Sequence, residues 1–157
     1  MKCSDVYLYE SVMNPDQFGT LPQLSELSVE FCKLKILPDG AFIGLKNLRE
    51  LRVQGHNSEW SGSMTLQLGA GTMRGLSKLE TLDLADNNIW GLPSSALCHT
   101  PALATFNLSR NNIVEVSANI ICVKPGAHLI CIRPPPPRCG REVNVQLNND
   151  CSKEFAS

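Results

Sequence analysis

Apolar residues at a fixed spacing predict a solenoid of the α/β class, a right-handed superhelix with a parallel β-sheet on its concave face. The clearest repeating unit runs from Leu79 to Leu92, reads L-x-x-L-x-L-x-x-N-x-I-x-x-L, and is followed by Pro93. It starts again at Leu103, 24 residues later. One such unit cannot bury its leucines alone, whereas stacked units share a continuous core. We therefore expect about five stacked coils.

This spacing is the leucine-rich-repeat pattern. Residues 3–21 are predicted to form an irregular first coil, and regular repeats start at Leu24, Leu48, Leu79 and Leu103. Alternating apolar residues in each repeat predict a short strand that turns every second side chain towards the core. Strands of neighbouring coils would pair about 4.8 Å apart.

One repeat is longer than its neighbours. The repeat that starts at Leu48 has 31 residues, seven more than the others, and the excess lies around residues 55–63. Insertions in repeat proteins generally emerge as loops from one face of the solenoid. Trp60 lies in this loop and is a candidate protein-binding residue; the alternative is a tryptophan that folds back over the edge of the core.

The period is lost after Cys122, and this divides the chain into two parts. Residues 1–121 are predicted to form the repeat domain, and residues 122–157 a cysteine- and proline-rich tail that is a candidate C-terminal cap. The run Pro134 to Pro137 is stiff and extended. We interpret it as a spacer; the alternative is a ligand for an aromatic groove.

The asparagine of the repeat has a structural explanation. Asn87 and Asn111 are predicted to lie inside, where their amides can bond backbone groups that the turn leaves unpaired. Cys32 holds the same position in an earlier repeat. We expect it to be a buried free thiol that substitutes for asparagine as a small, weak donor.

Seven cysteines in a chain of this length favour an oxidising compartment. Cys98 and Cys122 are one period apart, which predicts a disulfide between equivalent positions of adjacent coils; the alternative pairs Cys122 within the tail. Asn107-Leu108-Ser109 is a glycosylation sequon and predicts a glycan on Asn107. We therefore expect the chain outside the cell, at the outer face of the plasma membrane or secreted.

Several functions are not supported by the sequence. A net charge of −1 argues against a nucleic-acid surface, and no apolar run is long enough to span a bilayer. The amino terminus lacks the apolar region of a signal peptide, which suggests a fragment of a longer protein.

Cys98 and His99 are adjacent, but no carboxylate is placed to orient them as a nucleophile pair. The tail cysteines lack zinc-knuckle spacing. We expect no enzyme activity, cofactor, metal or small-molecule substrate.

Protein binding is the favoured function, on the exposed positions of the concave strands. These form a mildly acidic, polar strip, and solenoids commonly bind partners on such surfaces. The strip is predicted to comprise Ser28, Glu30, Phe31, Arg52, Gln54, Asp83, Ala85, Asn107 and Ser109. Within it the binding candidates are Glu30, Phe31, Arg52, Gln54 and Asp83. The alternative is a plain solvated sheet face, and a glycan on Asn107 would obstruct the last coil.

Three stretches resemble a known family. YESVMNPDQFGTLPQLSEL, AFIGLKNLRELRVQGHNSEW and LETLDLADNNIWGLP are similar to ectodomains of insect Toll receptors, most of all the long receptors of the 18-wheeler and Tollo type. The resemblance extends over residues 3–116. From Cys122 the sequence departs from the pattern, and the tail resembles a C-terminal cysteine cap only loosely; the alternative is an aberrantly spliced or frameshifted end.

The resemblance implies a receptor that spans the membrane once and binds a protein ligand or another cell-surface receptor, in immunity or tissue patterning. The membrane span and the signalling domain of such receptors are missing from this sequence. A secreted decoy or a structural matrix protein is the alternative function.

Overall fold

The computed structural model describes residues 11–14, 18–19, 21–30, 34–54, 65–113, 115–116 and 128–130. Within these residues the chain forms ten short strands joined by turns, with no helix. The strands are β1 (Ser11–Val12), β2 (Glu26–Glu30), β3 (Leu34–Leu37), β4 (Glu50–Gln54), β5 (Gln67–Leu68), β6 (Thr81–Asp83), β7 (Gly91–Leu92), β8 (Thr105–Asn107), β9 (Glu115–Val116) and β10 (His128–Ile130).

Five strands form the sheet that the repeat pattern predicts for the concave face. Its spatial order is β10-β8-β6-β4-β2, and every neighbouring pair is parallel. The register aligns Leu27 with Leu51, Leu51 with Leu82, and Leu82 with Phe106. Since spatial order follows chain order, each coil stacks on the one before it, and the predicted leucine-rich-repeat solenoid is confirmed.

After the turn that follows a concave strand, the chain forms a second, shorter strand. These shorter strands make two smaller sheets. One has the order β1-β3-β5 and the other contains β7 and β9, so the second line of strands is interrupted between β5 and β7. The interruption falls after the long repeat. The Leu66 amide instead donates to the Asn87 carbonyl at 3.1 Å. The concave sheet, by contrast, keeps its register across the insertion, with Leu51 beside Leu82.

Turns occupy the convex side, where an α/β fold could place helices. Ala41 and Ala96 lie at equivalent positions, and their amides bond to the carbonyls of Pro38 and Pro93, each at 3.2 Å. Such consecutive turns, each closed by a hydrogen bond from the amide of residue i+3 to the carbonyl of residue i, return the chain to the next strand without forming a helix. The same local geometry in both repeats shows that the coils share one backbone path.

The core is a continuous column of apolar side chains between the concave sheet and the turns. Phe18 of the first coil stacks on Phe42 of the next, with ring centroids 6.0 Å apart. The largest fully buried side chains are Leu37, Phe42, Leu45, Leu48, Leu51, Leu66, Met73, Leu76, Leu79, Leu82, Leu84 and Ile89. These are the apolar positions of the repeat, so the pattern identifies the core.

The concave sheet extends beyond the point where the sequence pattern ends. β10 lies within the predicted tail, yet it pairs with β8, with His128 beside Thr105 and Ile130 beside Asn107. A further coil and a C-terminal cap could each add a strand parallel to β8 in this way. The division between residues 1–121 and 122–157 stays a prediction.

Candidate functional site

The exposed side chains of the concave sheet stand in rows that cross the strands. The first row contains Glu26, Glu50, Thr81 and Thr105, and the second contains Ser28, Arg52, Asp83 and Asn107. Glu30 and Gln54 pair in register and begin a third row. We call these ten residues the concave strip. Neighbouring members of a row are about 4.8 Å apart because the strands are hydrogen-bonded.

The second row is held together by polar contacts. Asp83 lies at its centre: Arg52 Nε is 3.9 Å from Asp83 Oδ2, and Asn107 Nδ2 donates to Asp83 Oδ1 at 3.1 Å. The Ala85 amide donates to the same Oδ1 at 2.9 Å. Exposed pairs of this kind add little to stability. Their effect is to fix the side chains on three adjacent strands in one arrangement.

The first row is different, because its carboxylates lack counter-charges. Glu26 and Glu50 are exposed neighbours on β2 and β4, and neither side-chain carboxylate makes a hydrogen bond or ion pair within the described part of the chain. Like charges directly opposite each other destabilise a sheet slightly. Glu30, nearby on β2, accepts a hydrogen bond from Ser28 Oγ at 2.9 Å. Glu26 and Glu50 therefore place uncompensated negative charge at the β2–β4 end of the concave strip.

The strip differs from the sequence prediction in three ways. Ala85 was predicted to belong to it but lies beyond the end of β6 at Asp83. Ser109 was predicted to be exposed and is buried, because β8 ends at Asn107 and the chain then turns inwards. The first row was missed. Its signal was present in the alternation that places Ser28 on the solvent face, since a period of two also places Glu26 there.

The two asparagines of the repeat lie where the chain leaves the concave strands. Asn87 is fully buried, and its Nδ2 donates to the carbonyls of Val53 at 2.7 Å and Ala85 at 3.0 Å. Asn111 Oδ1 accepts from the amides of Asn87 at 3.0 Å and Ile89 at 2.9 Å. The asparagine of one coil therefore bonds backbone groups of the coil before it.

Four predicted residues lie outside the described residues. These are Phe31, Cys32, Trp60 and Cys122. Cys98, by contrast, is described and is disulfide-bonded. Cys98 is the one cysteine of the described residues, so its partner lies outside them, and the pairing with Cys122 stays a prediction.

One exposed aromatic residue was not singled out from the sequence. Trp90 is 56% exposed, although it lies between the buried Ile89 and the buried Leu92. It occupies one of the two positions that the repeat pattern leaves unspecified between Ile89 and Leu92, so its exposure follows from the spacing. It lies outside the concave strip.

The described part of the chain contains no group of three or more histidine, cysteine, aspartate or glutamate side chains that could hold a metal ion. The sulfur of Cys98, which precedes His99 in the sequence, forms a disulfide bond. Among the same residues, no helix has the length and apolar character needed to cross a membrane.

Stacked parallel strands, inward leucines and the inward-facing asparagines Asn87 and Asn111, each bonded to backbone carbonyls, define the class of protein. The family model described as leucine rich repeat matches residues 61–118. The chain belongs to the leucine-rich-repeat proteins.

Within that class the chain is of the insect Toll type. It is 44% identical over 113 residues to Toll-like receptor 7 of Drosophila melanogaster, a match that covers 72% of this chain and 8% of the receptor. It is also 35% identical over 100 residues to podocan of Mus musculus, covering 64% of this chain and 15% of podocan. Toll-like receptor 3 of Bos taurus is 31% identical over 102 residues, covering 64% of this chain and 11% of that receptor. The chain thus spans a small part of each relative.

A solved structure of the Drosophila Toll–Spatzle complex is a more distant neighbour. It shares 19% sequence identity with this chain at a TM-score of 0.38, and the match covers 69% of this chain and 17% of that one. The likeness is too remote to bear on function.

Proposed function

We propose that the chain is a non-catalytic protein-recognition segment of a Toll-type receptor ectodomain, and that the concave strip binds its protein partner. The observation that carries this proposal is the unbroken register of the concave sheet. It sets polar side chains in rows on four strands, from Glu26 to Asn107, above a closed apolar core. A rigid, ordered polar surface of this kind suits recognition of another protein.

The partner that this strip favours carries basic groups. Glu26 and Glu50 lie side by side on β2 and β4, whereas Arg52, also on β4, pairs with Asp83 on β6. Complementary charge steers a partner towards such a surface and fixes its orientation. Glu30, Arg52, Gln54 and Asp83 are the contacts that we propose, with Glu26 and Glu50 added to them.

An open polar strip supports protein binding better than catalysis or small-molecule binding. Small-molecule sites are mostly apolar clefts with a few placed polar groups. Here the apolar residues beneath the strip, such as Leu51 and Leu82, are completely buried. The relatives named as receptors agree with a binding role.

We also propose an extracellular location for this segment. The disulfide of Cys98 supports it, because disulfides persist mainly in oxidising compartments. Our proposed pair is Cys98 with Cys122. Peptide mapping of the unreduced protein should recover that linked pair; a chain from a secretory host with all seven cysteines reduced would contradict the location.

Charge reversal in the strip tests the function. Glu26→Lys combined with Glu50→Lys keeps two like charges side by side, so the repulsion between the strands is retained while the sign of the surface changes. The matched control, Lys46→Glu with Arg74→Glu, reverses two exposed charges outside the strip. Immobilised chain is tested against a panel of purified Drosophila ectodomains and secreted proteins.

The proposal predicts that a partner from the panel binds the strip variant at least roughly tenfold more weakly, with the control unchanged. Equal binding by both variants would place the site elsewhere, including the loop that contains Trp60. A full-length transcript without a membrane span would instead favour the alternative, a secreted decoy or matrix protein.

A further inference from the structure

Asn107 combines an acceptor sequence with a solvent-facing position on the sheet. Asn107-Leu108-Ser109 is the one Asn-x-Ser/Thr sequence in the chain. In the fold, Asn107 stands half-buried on the solvent face of β8, whereas Leu108 and Ser109 are buried. The side chain that would carry a sugar therefore faces solvent, and the rest of the sequon belongs to the core.

The hydrogen bonds of Asn107 are compatible with one substituent on its amide nitrogen. Oδ1 accepts from the Ser109 amide at 3.0 Å, and Nδ2 donates to Asp83 Oδ1 at 3.1 Å. An amide nitrogen carries two hydrogens. Replacing one of them leaves the other for Asp83, so the polar row of the strip can survive the modification.

We propose that Asn107 is N-glycosylated and that the sugar stands on the concave face over β8. The donor is a lipid-linked oligosaccharide. A bond forms between Asn107 Nδ2 and the anomeric carbon of N-acetylglucosamine, while one Nδ2–H bond and the carbon–oxygen bond to the lipid diphosphate break. The lipid diphosphate leaves with the bonding electrons, and the amide proton passes to solvent or a base. Because Ser109 is buried in the folded chain, transfer precedes folding.

The sugar limits where a partner can bind. A glycan over β8 covers that end of the concave strip and leaves the end farthest from it, on β2 and β4, open. These strands carry the unpaired carboxylates Glu26 and Glu50. This consequence rests on the proposed function, whereas the modification itself does not.

The test uses the full chain, secreted from insect cells behind a cleavable leader. Intact mass is measured before and after treatment with peptide N-glycosidase, and glycopeptides are sequenced. Asn107→Gln removes the acceptor. Asp83→Asn with Ala85→Ser is a matched gain of site, because Asp83 is the register partner of Asn107 and accepts from the Ala85 amide as Asn107 accepts from Ser109.

We expect one N-glycan on the wild-type chain, located at Asn107, none in Asn107→Gln, and a second glycan in the gain-of-site variant. Wild-type chain secreted without a glycan would overturn the proposal, and this result needs no variant to fold. A gain-of-site variant that is secreted without a second glycan would overturn the geometric argument. An absent glycan with partner capture intact refutes this inference alone. A present glycan with no capture refutes the proposed function alone.

Discussion

Asn87 is fully buried although its side chain is polar, because the turn after a concave strand directs backbone carbonyls inwards. A buried amide must find partners, and the repeat pattern predicts such an environment for the asparagine position. The sequence could not predict which carbonyls accept hydrogen bonds from the Asn87 amide. The Val53 carbonyl, 2.7 Å from Asn87 Nδ2, belongs to the strand that precedes the insertion, and only the stacking brings it there.

Truncation of Asn87 should therefore be costly. Asn87→Ala leaves the carbonyls of Val53 and Ala85 without this donor in a dry environment, so we expect a loss of about 2–3 kcal/mol in the free energy of unfolding. The control is Asn112→Ala, which removes an exposed side chain bonded to Asn88 and should cost less than about 0.5 kcal/mol. Chemical denaturation measures both. Similar losses for the two variants would show that the buried bonds do not stabilise the turn.

Two residues at equivalent turn positions differ in their conformational fit. Gly40 and Ser95 both have left-handed backbone angles, with φ of 74° and 65°, but only serine has a Cβ that disfavours this region. We expect Ser95→Gly to stabilise the chain and Gly40→Ser to destabilise it, each by up to about 1 kcal/mol. No atom lies within 4 Å of a Cβ built at Gly40, so the effect is conformational. Thermal melts that shift in the same direction for both variants would contradict this explanation.

At the scale of the element, β3 and β5 are joined by one carboxylate as well as by their ladder. Asp39, just after β3, accepts a hydrogen bond on Oδ1 from the Gly71 amide at 2.8 Å. A Cβ built at Gly69 would lie 2.1 Å from that same oxygen. The sequence predicted the excess length of this repeat but not why glycines follow β5. That reason depends on a side chain of the preceding coil.

Gly69→Ala should consequently displace Asp39 from the Gly71 amide and lower the free energy of unfolding by about 1–3 kcal/mol. Gly91→Ala is the matched control in β7, where a Cβ meets no atom within 4 Å, and its effect should stay within about 0.5 kcal/mol. Combining Gly69→Ala with Asp39→Ala should remove most of the clash. A double variant that loses as much as the sum of the two single variants would exclude this contact as the cause.

For the whole molecule, the apolar period was sufficient to predict the stack. Leu51 and Leu82 pair in register because burial of the leucines requires it, and the seven extra residues between them do not disturb it. Features that depend on where a strand ends were not predictable. Ser109 is buried because β8 stops at Asn107, and β10 adds a strand where the sequence period has already failed.

The same distinction applies to the concave strip. Alternation predicted Glu30, Arg52, Gln54 and Asp83 on the solvent side, but not which of them are paired. Pairing depends on the register between strands, which sets Arg52 beside Asp83 and leaves Glu26 beside Glu50. The unpaired carboxylates are therefore a product of the assembled sheet, and they make the most specific marker of the proposed site.

Carboxylate footprinting tests the central claim most directly. The chain is labelled with a carbodiimide and an amine, alone and with the partner found in the panel, and the modified residues are quantified by mass spectrometry. We expect labelling at Glu26 and Glu50 to fall on binding, while Glu80, which is exposed beside Arg49 outside the strip, keeps its labelling. Unchanged labelling at Glu26 and Glu50 in a saturated complex would contradict recognition by the concave strip.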